Sequence, residues 1–347
     1  MFGILRFFLA IFVAISHMTL IQGFNIGVSS VVIFYLLSGY VMTHSFKVNF
    51  EGELRNIGCF YRDRLLRVYP LYFFYAIMTI IFVVLTGYGK PEFNLISLIN
   101  NFTIVLLNYC MWLDGSTIYV LQEPKWWLIP PAWSLGAELQ FYLLIPFILR
   151  YQKSMCILIL ASLLVFVMAT LGIIDTDYFG YRVLAGTLFI FLSGSLLYGA
   201  NQMIGGNDEK FLKIIWVFAL LWLCVLAFYE QIEVPFTLEV LVGYILGVLV
   251  VAVLSRVQVS SPIENLLGAL SYPIFLCHFL AFWIIAYLSA KYQVTLGQRG
   301  LFIVQLFLTV LMGYIGYRLI DIPVQRIRKS LQRNSTFGDS LQKNIKG

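Results

Sequence analysis

The chain has 347 residues, of which 61% are hydrophobic and 12% charged, and its mean hydropathy is +0.88. A soluble domain is about 45–50% apolar and about 25% charged, so this composition excludes a soluble enzyme, a nucleic-acid-binding domain and a disordered linker. It predicts a polytopic membrane protein. The formal charge of +6 calls for no nucleic-acid partner, because excess Lys and Arg in a membrane protein records which loops face the cytoplasm.

A helix needs about 20 apolar residues to cross a bilayer. In chain order the candidates are Gly3–Ile21, Val28–Phe46, Val68–Tyr88, Leu95–Leu113, Pro131–Leu149, Met155–Ile174, Val183–Tyr198, Ile214–Tyr229, Phe236–Leu254, Leu266–Leu288 and Leu301–Ile320. The first run is not read as a removable signal peptide, since no small-residue cleavage site follows it in Gln22-Gly23-Phe24-Asn25. The five cysteines are scattered, with no CxxC or Cys/His cluster, so neither a disulfide framework nor a metal site is expected. No composition shift divides the chain. Residues 1–325 are expected to form one transmembrane domain, and residues 326–347 a basic, disordered cytoplasmic tail.

Leu95–Leu113 is the weak candidate. It carries Asn100, Asn101 and Asn108, and an amide in hydrocarbon must find a partner. Charge tests it. If this segment does not cross and the N-terminus is cytoplasmic, 18 Lys and Arg lie inside. Only Lys90, Lys125, Arg182, Lys291 and Arg299 lie outside. If it crosses, the split falls to 13 against 10. The positive-inside rule favours the first arrangement. The expected fold is therefore an all-α membrane bundle of ten transmembrane helices with both termini cytoplasmic and a re-entrant or interfacial segment near 95–113.

Ionisable residues inside spans are costly, which makes each a functional candidate. Arg6 and His17 are eleven positions apart on the first helix, three turns plus about 20°, so they share a face about 16 Å apart along the axis. A snorkelling Arg with a core His is the plainer reading. Arg64 and Arg67 are three apart where a helix enters the membrane, and two guanidiniums so held suit a polyphosphate. Arg62, beside them, reads as a topology anchor. Ser134 and Glu138 are four apart and share a face. Glu138 lies more than a turn inside a span, as half of a structural salt bridge or as a carboxylate that orients an imidazole. Pro273 is expected to kink or interrupt its helix. His278 is either a second site histidine or an interhelical hydrogen-bond partner, and His44 reads as interfacial.

Four groups of residues resemble the acyltransferase-3 family of integral-membrane O-acyltransferases, which modify cell-surface glycans. The first is Arg6 with His17, and the second is Phe34-Tyr35-Leu36-Leu37-Ser38-Gly39-Tyr40. The third is Arg64-x-x-Arg67-Val68-Tyr69-Pro70 followed by Trp133-Ser134-Leu135-x-x-Glu138-x-x-Phe141-Tyr142. The fourth is Ser271-Tyr272-Pro273-x-x-Leu276-x-His278 followed by Tyr317-Arg318-Leu319-Ile320-Asp321-x-Pro323. Asp321 stands where the family usually has Glu, and Pro273 where it commonly has a small polar residue. Order and spacing carry the match over nearly the whole chain.

The resemblance implies an acyl donor, acetyl-CoA by default with succinyl or another short acyl group as variants, and no metal. It implies as acceptor a hydroxyl on a lipid-linked or surface saccharide, such as O-antigen, exopolysaccharide or capsule. Its site would then be His17 as general base with Glu138 orienting it or touching the acceptor. Arg6, Arg64 and Arg67 would hold the donor, and Trp133, Ser134, Tyr142 and His278 the acceptor. Membrane lipid is the other partner, and a homo-oligomer stays open. The expected location is a bacterial cytoplasmic membrane. The competing class is a transporter or polymerase of lipid-linked sugars, the first of which usually shows two related halves. No internal repeat is visible here.

Overall fold

The computed structural model describes residues 1–18, 23–50, 54–119, 125–203, 206–257, 261–294 and 297–331. Within them the chain forms eleven α-helices: α1 (Phe2–Met18), α2 (Ile26–Asn49), α3 (Leu54–Thr86), α4 (Leu95–Thr103), α5 (Trp133–Arg150), α6 (Gln152–Thr170), α7 (Leu184–Gln202), α8 (Asn207–Phe228), α9 (Thr237–Ser255), α10 (Pro262–Tyr292) and α11 (Gln298–Gly316). Eight helical stretches are long and apolar enough to cross a membrane, and α1 and the stretch Ser154–Thr170 are shorter apolar helices. The only β-pairing among the described residues is an isolated antiparallel bridge between Ile118 and Trp126. The fold is thus an all-α polytopic bundle.

Sequence signals set several helix starts. The Asn25 side chain accepts from the Gly27 N–H at 2.9 Å and caps α2. Ser261 caps α10, with Pro262 in the first turn, where a missing N–H is harmless. Pro273 does not interrupt α10, which runs unbroken for 31 residues. Neighbouring helices can re-satisfy the backbone that a proline frees. At the other end of the chain, α11 continues through a π-helical turn, Tyr317–Asp321, and on to Leu331. The boundary drawn at residue 325 therefore falls inside a helix, and residues 332–347 of the expected tail lie outside the described residues.

The segment near 95–113 is short helix and turns. Helix α4 has nine residues, about 13 Å of axial rise, against about 30 Å of hydrocarbon. It begins on a reciprocal Asn94–Ser97 capping box and stops at Ile104, whose φ is +63°. Its amides hold the loop that follows. Asn101 donates to the carbonyls of Ser97 and Gly115, each at 2.7 Å, and accepts from the Leu128 N–H at 2.9 Å. Gln140 of α5 donates to the Val105 carbonyl at 2.6 Å and to Asn108 Oδ1 at 2.8 Å. Gly136 on the same face lets the segment approach, since a Cβ there would lie 2.9 Å from the Ile104 carbonyl oxygen. These bonds supply the partners that Asn101 and Asn108 of the weak span demanded, whereas Asn100 Nδ2 is buried without one among the described residues.

Helix α2 runs through the middle of the bundle against α1, α5, α7 and α9. At its crossing with α7, a Cβ on Gly39 would collide with the Phe191 carbonyl, and one on Gly194 with the Leu36 carbonyl. Hydrocarbon offers helices no solvent to escape, so van der Waals contact at close approach must hold them, and small residues permit it. The described N- and C-terminal residues meet at one end of the bundle, where Phe2, Gly3 and Lys329 line one cavity. That end is called the terminal end below, and the α4 segment marks the distal end.

Gly39→Val is expected to destabilise the fold by about 1–3 kcal/mol or more, because its neighbour is backbone and cannot rotate away. Thermal unfolding in detergent checks this. Single cysteines in place of Lys90 and Lys125, in a cysteine-free background, are expected to label with an impermeant thiol reagent from the same side. Labelling from opposite sides would mean that the chain crosses between them.

Candidate active site

At the terminal end a cavity of about 280 Å³ opens between α1, α2, α3, α5 and α10. Arg6, Arg64 and Arg67 face it together with Glu138. Arg6 interacts as a like charge with Arg67 and Arg64 and as an opposite charge with Glu138. Neither Arg6 nor Arg67 has an ion-pair partner among the described residues. A second, more polar cavity of about 640 Å³ meets the first at Arg6, Arg67 and Tyr272. The i,i+3 spacing that suggested a paired phosphate grip thus places both Arg64 and Arg67 on one cavity and adds Arg6 from another helix.

Glu138 binds differently from the expectation. Its Oε1 accepts from Ser38 Oγ of α2 at 2.7 Å and from the Tyr142 hydroxyl one turn further along α5. Ser134, on the same helical face, donates instead to the Pro131 carbonyl at 3.0 Å, closing its own turn. Glu138 makes no hydrogen bond to His17, so it does not orient that imidazole here. The reason is level: Glu138 shares the cavity with Arg6, and His17 stands about 16 Å further along α1. Ser38 was not singled out from the sequence, although it lies in the Phe34–Tyr40 stretch that carried the resemblance.

His17 belongs to a second cluster. Its ring stacks on His278 of α10, with centroids 5.6 Å apart and planes inclined by 19°, and lies 4.9 Å from the Phe279 ring. His17 is exposed and His278 is fully buried. His278 Nδ1 is 2.8 Å from the Phe275 carbonyl. A carbonyl only accepts, so Nδ1 carries the proton and Nε2 is left as an acceptor. That Nε2 has no partner among the described residues. The interhelical hydrogen bond considered for His278 is not made among the described residues: Nδ1 bonds the backbone of its own helix, and the contact across helices is the ring stack on His17.

Two further parts of the distal end converge on this pair. Trp126, held by the bridge to Ile118, places its ring 5.2 Å from Phe279. Arg182 pairs with Asp177 at 2.6 Å and lies 4.6 Å over the Trp133 ring, and its charge reaches His17. Trp133 is buried beneath Arg182 and Tyr181 and does not line the terminal cavity, unlike Ser134 and Tyr142. From sequence, Arg182 counted only as an outer charge, and its place directly after Tyr178, Phe179 and Tyr181 was the signal available. Asp114, outside the spans, is held below the usual carboxylate range chiefly by bonds from Ser116. Among the described residues no three His, Cys, Asp or Glu side chains group as metal ligands do.

Glu138→Ala would leave the Ser38 and Tyr142 hydroxyls without their acceptor, at a cost of about 1–3 kcal/mol for each group. Glu138→Gln keeps an accepting oxygen and is expected to recover most of that loss. The unfolding midpoints of the two variants, measured side by side, check the assignment.

A family model described as an acyltransferase domain, acyltransferase-3, matches residues 2–318. An uncharacterized protein of Aquifex aeolicus (strain VF5) is 35% identical over 228 residues, covering 64% of this chain and 100% of that protein. No solved structure matches the chain. With nearly every residue of the bundle inside the match, and Arg6, Arg64, Arg67 and the histidine pair within it, the chain belongs to the acyltransferase-3 family.

Proposed function

We propose that this membrane acyltransferase moves a short acyl group, acetyl by default, from acyl-CoA to a hydroxyl of a cell-envelope saccharide. The observation that carries the reading is one helix, α1, with an unpaired guanidinium in the terminal cavity and an exposed imidazole about three turns away. The donor's phosphates would bind Arg6, Arg64 and Arg67, whose planar forks match phosphate oxygens. The thioester would then reach toward His17. The acceptor hydroxyl would approach from the distal side, against His17, Phe279 and Trp126. On this reading the terminal end and both termini face the cytoplasm, where the donor is found, of a bacterial inner membrane; the positive-inside charge split supports that orientation.

The chemistry needs a base, because a sugar hydroxyl is barely ionised near neutral pH. His17 would take the hydroxyl proton as the oxygen attacks the thioester carbonyl. When the tetrahedral intermediate collapses, the C–S bond breaks and the imidazolium returns the proton to the leaving sulfur. His278 stacks against His17 and limits where that ring can lie. Glu138 would hold the donor or acceptor through the hydroxyls of Ser38 and Tyr142. Membership of an acyltransferase family weighs against the transporter or polymerase reading.

Transfer of labelled acetyl from acetyl-CoA to envelope glycan, in membranes carrying the protein, tests the proposal. His17→Gln is expected to lower transfer by about 10²–10⁴-fold, as removal of a general base does, with CoA binding kept. Retention of more than about a tenth of the activity, against that loss, would show that His17 is not the base. His278→Gln, which can still present an acceptor near the Nε2 position, is expected to retain more transfer than His278→Asn, which can keep only the bond to the Phe275 carbonyl.

A further inference from the structure

Asp63 lies next to Arg64 on α3, and it is almost completely buried. The Arg64 guanidinium contacts its Oδ2. A second arginine reaches it from far along the chain: Arg328 places Nε 2.9 Å from Asp63 Oδ1 and Nη2 3.0 Å from Oδ2, a two-pronged grip. Arg328 belongs to the helical stretch that follows the π-turn after α11, beyond residue 318, where the family match ends. It also lines the arginine cavity. Arg64 is itself more than nine-tenths buried along its side chain, and it lines the same cavity. Its Nε has no hydrogen-bond partner among the described residues, and its Nη1 meets only the Met42 sulfur, at 3.2 Å.

The charge arithmetic gives this network a purpose. One carboxylate is gripped by two guanidiniums, so the three groups keep one positive charge in excess. A buried N–H donor without an acceptor is unfavourable, and it stays tolerable where a ligand brings the acceptor. Without Arg328, both oxygens of Asp63 would turn to Arg64. A planar guanidinium that forks onto a carboxylate spends Nε and one Nη together, and Nε is the donor left over here. The pair would then be neutral, and the cavity would lose one of its three phosphate-directed arginines.

We propose that Arg328 is a positioning residue of the donor site: by gripping Asp63 it leaves the Nε edge of Arg64 available to an anionic group of the donor. The helix beyond the family-matched region thus completes the site from behind, without the requirement that Arg328 touch the donor. This role rests on the reading of the cavity as the acyl-CoA site.

The test uses the full-length protein in lipid nanodiscs, with CoA binding and acetyl transfer both measured. Arg328→Gln is expected to raise the KM for acetyl-CoA, and weaken CoA binding, by about tenfold or more, the value of a charged hydrogen bond, while kcat changes by less than about twofold. Asp63→Asn removes the competitor for Arg64 and is expected to leave KM unchanged or lower it. The double variant Asp63→Asn/Arg328→Gln is expected to return KM to within about threefold of wild type, again on the scale of one charged bond. A plain structural bridge would lose equally from either side. Equal rises in KM for Arg328→Gln and Asp63→Asn therefore overturn the proposal. So does an unchanged KM in Arg328→Gln, or a double variant as impaired as Arg328→Gln alone. If Arg328→Gln does not fold, Asp63→Asn and the double variant decide by the same values. Wild-type protein that binds no CoA would remove the donor reading itself, and this role with it, whereas wild-type CoA binding with a failed variant pattern removes only the role of Arg328.

Discussion

A guanidinium inside an apolar bundle must be neutralised by an anion or be kept for one. Four arginines of this protein, Arg6, Arg64, Arg67 and Arg328, line one cavity, and only Arg64 and Arg328 pair with a carboxylate among the described residues. Asp63 is taken up by Arg64 and Arg328, and Glu138 is engaged by two hydroxyls. Arg6 and Arg67 have no ion-pair partner among the described residues. Buried charge without a partner is costly, so the rest of the fold has to hold these side chains against their own repulsion. It does so with long helices: α3 and α10 run for 33 and 31 residues, well beyond the roughly 20 that a bilayer requires.

The helices can be held so because their crossings are made by backbone. Where α2 meets α7, a glycine on each helix faces a carbonyl of the other. That contact brings Ser38, one residue before Gly39, to the Glu138 carboxylate of α5. A small residue and a polar residue side by side thus do two jobs. The first sets the helix separation, and the second uses it to bind across the interface.

The distal end obeys the opposite logic. Its backbone is irregular, and irregular backbone at membrane depth is tolerated only where protein satisfies it. Side-chain amides do this: Asn101 ties α4 to the loop ahead of α5, and Asn108 with Gln140 ties the next turn to α5. Trp126 and Arg182 are delivered to the histidine pair by this scaffold. The terminal end gathers charge from regular helices, whereas the distal end gathers aromatic rings and an ion pair from turns.

Much of this was legible before any coordinates. Composition demanded a membrane bundle, because too few polar side chains exist to cover a surface in water. The distribution of Lys and Arg singled out 95–113 as no crossing helix, and α4 is indeed too short to be one. Helical periodicity put Arg64 with Arg67, and Arg6 on the face of His17, since those relations lie within one helix. Relations between helices were beyond reach. Nothing in the spacing said that Glu138 would meet Ser38, that His17 would stack on His278, or that Arg328 would grip Asp63 across 265 positions. A periodicity fixes which side chains share a face. Which face meets which neighbour depends on how closely backbones pack, and only the assembled bundle decides that.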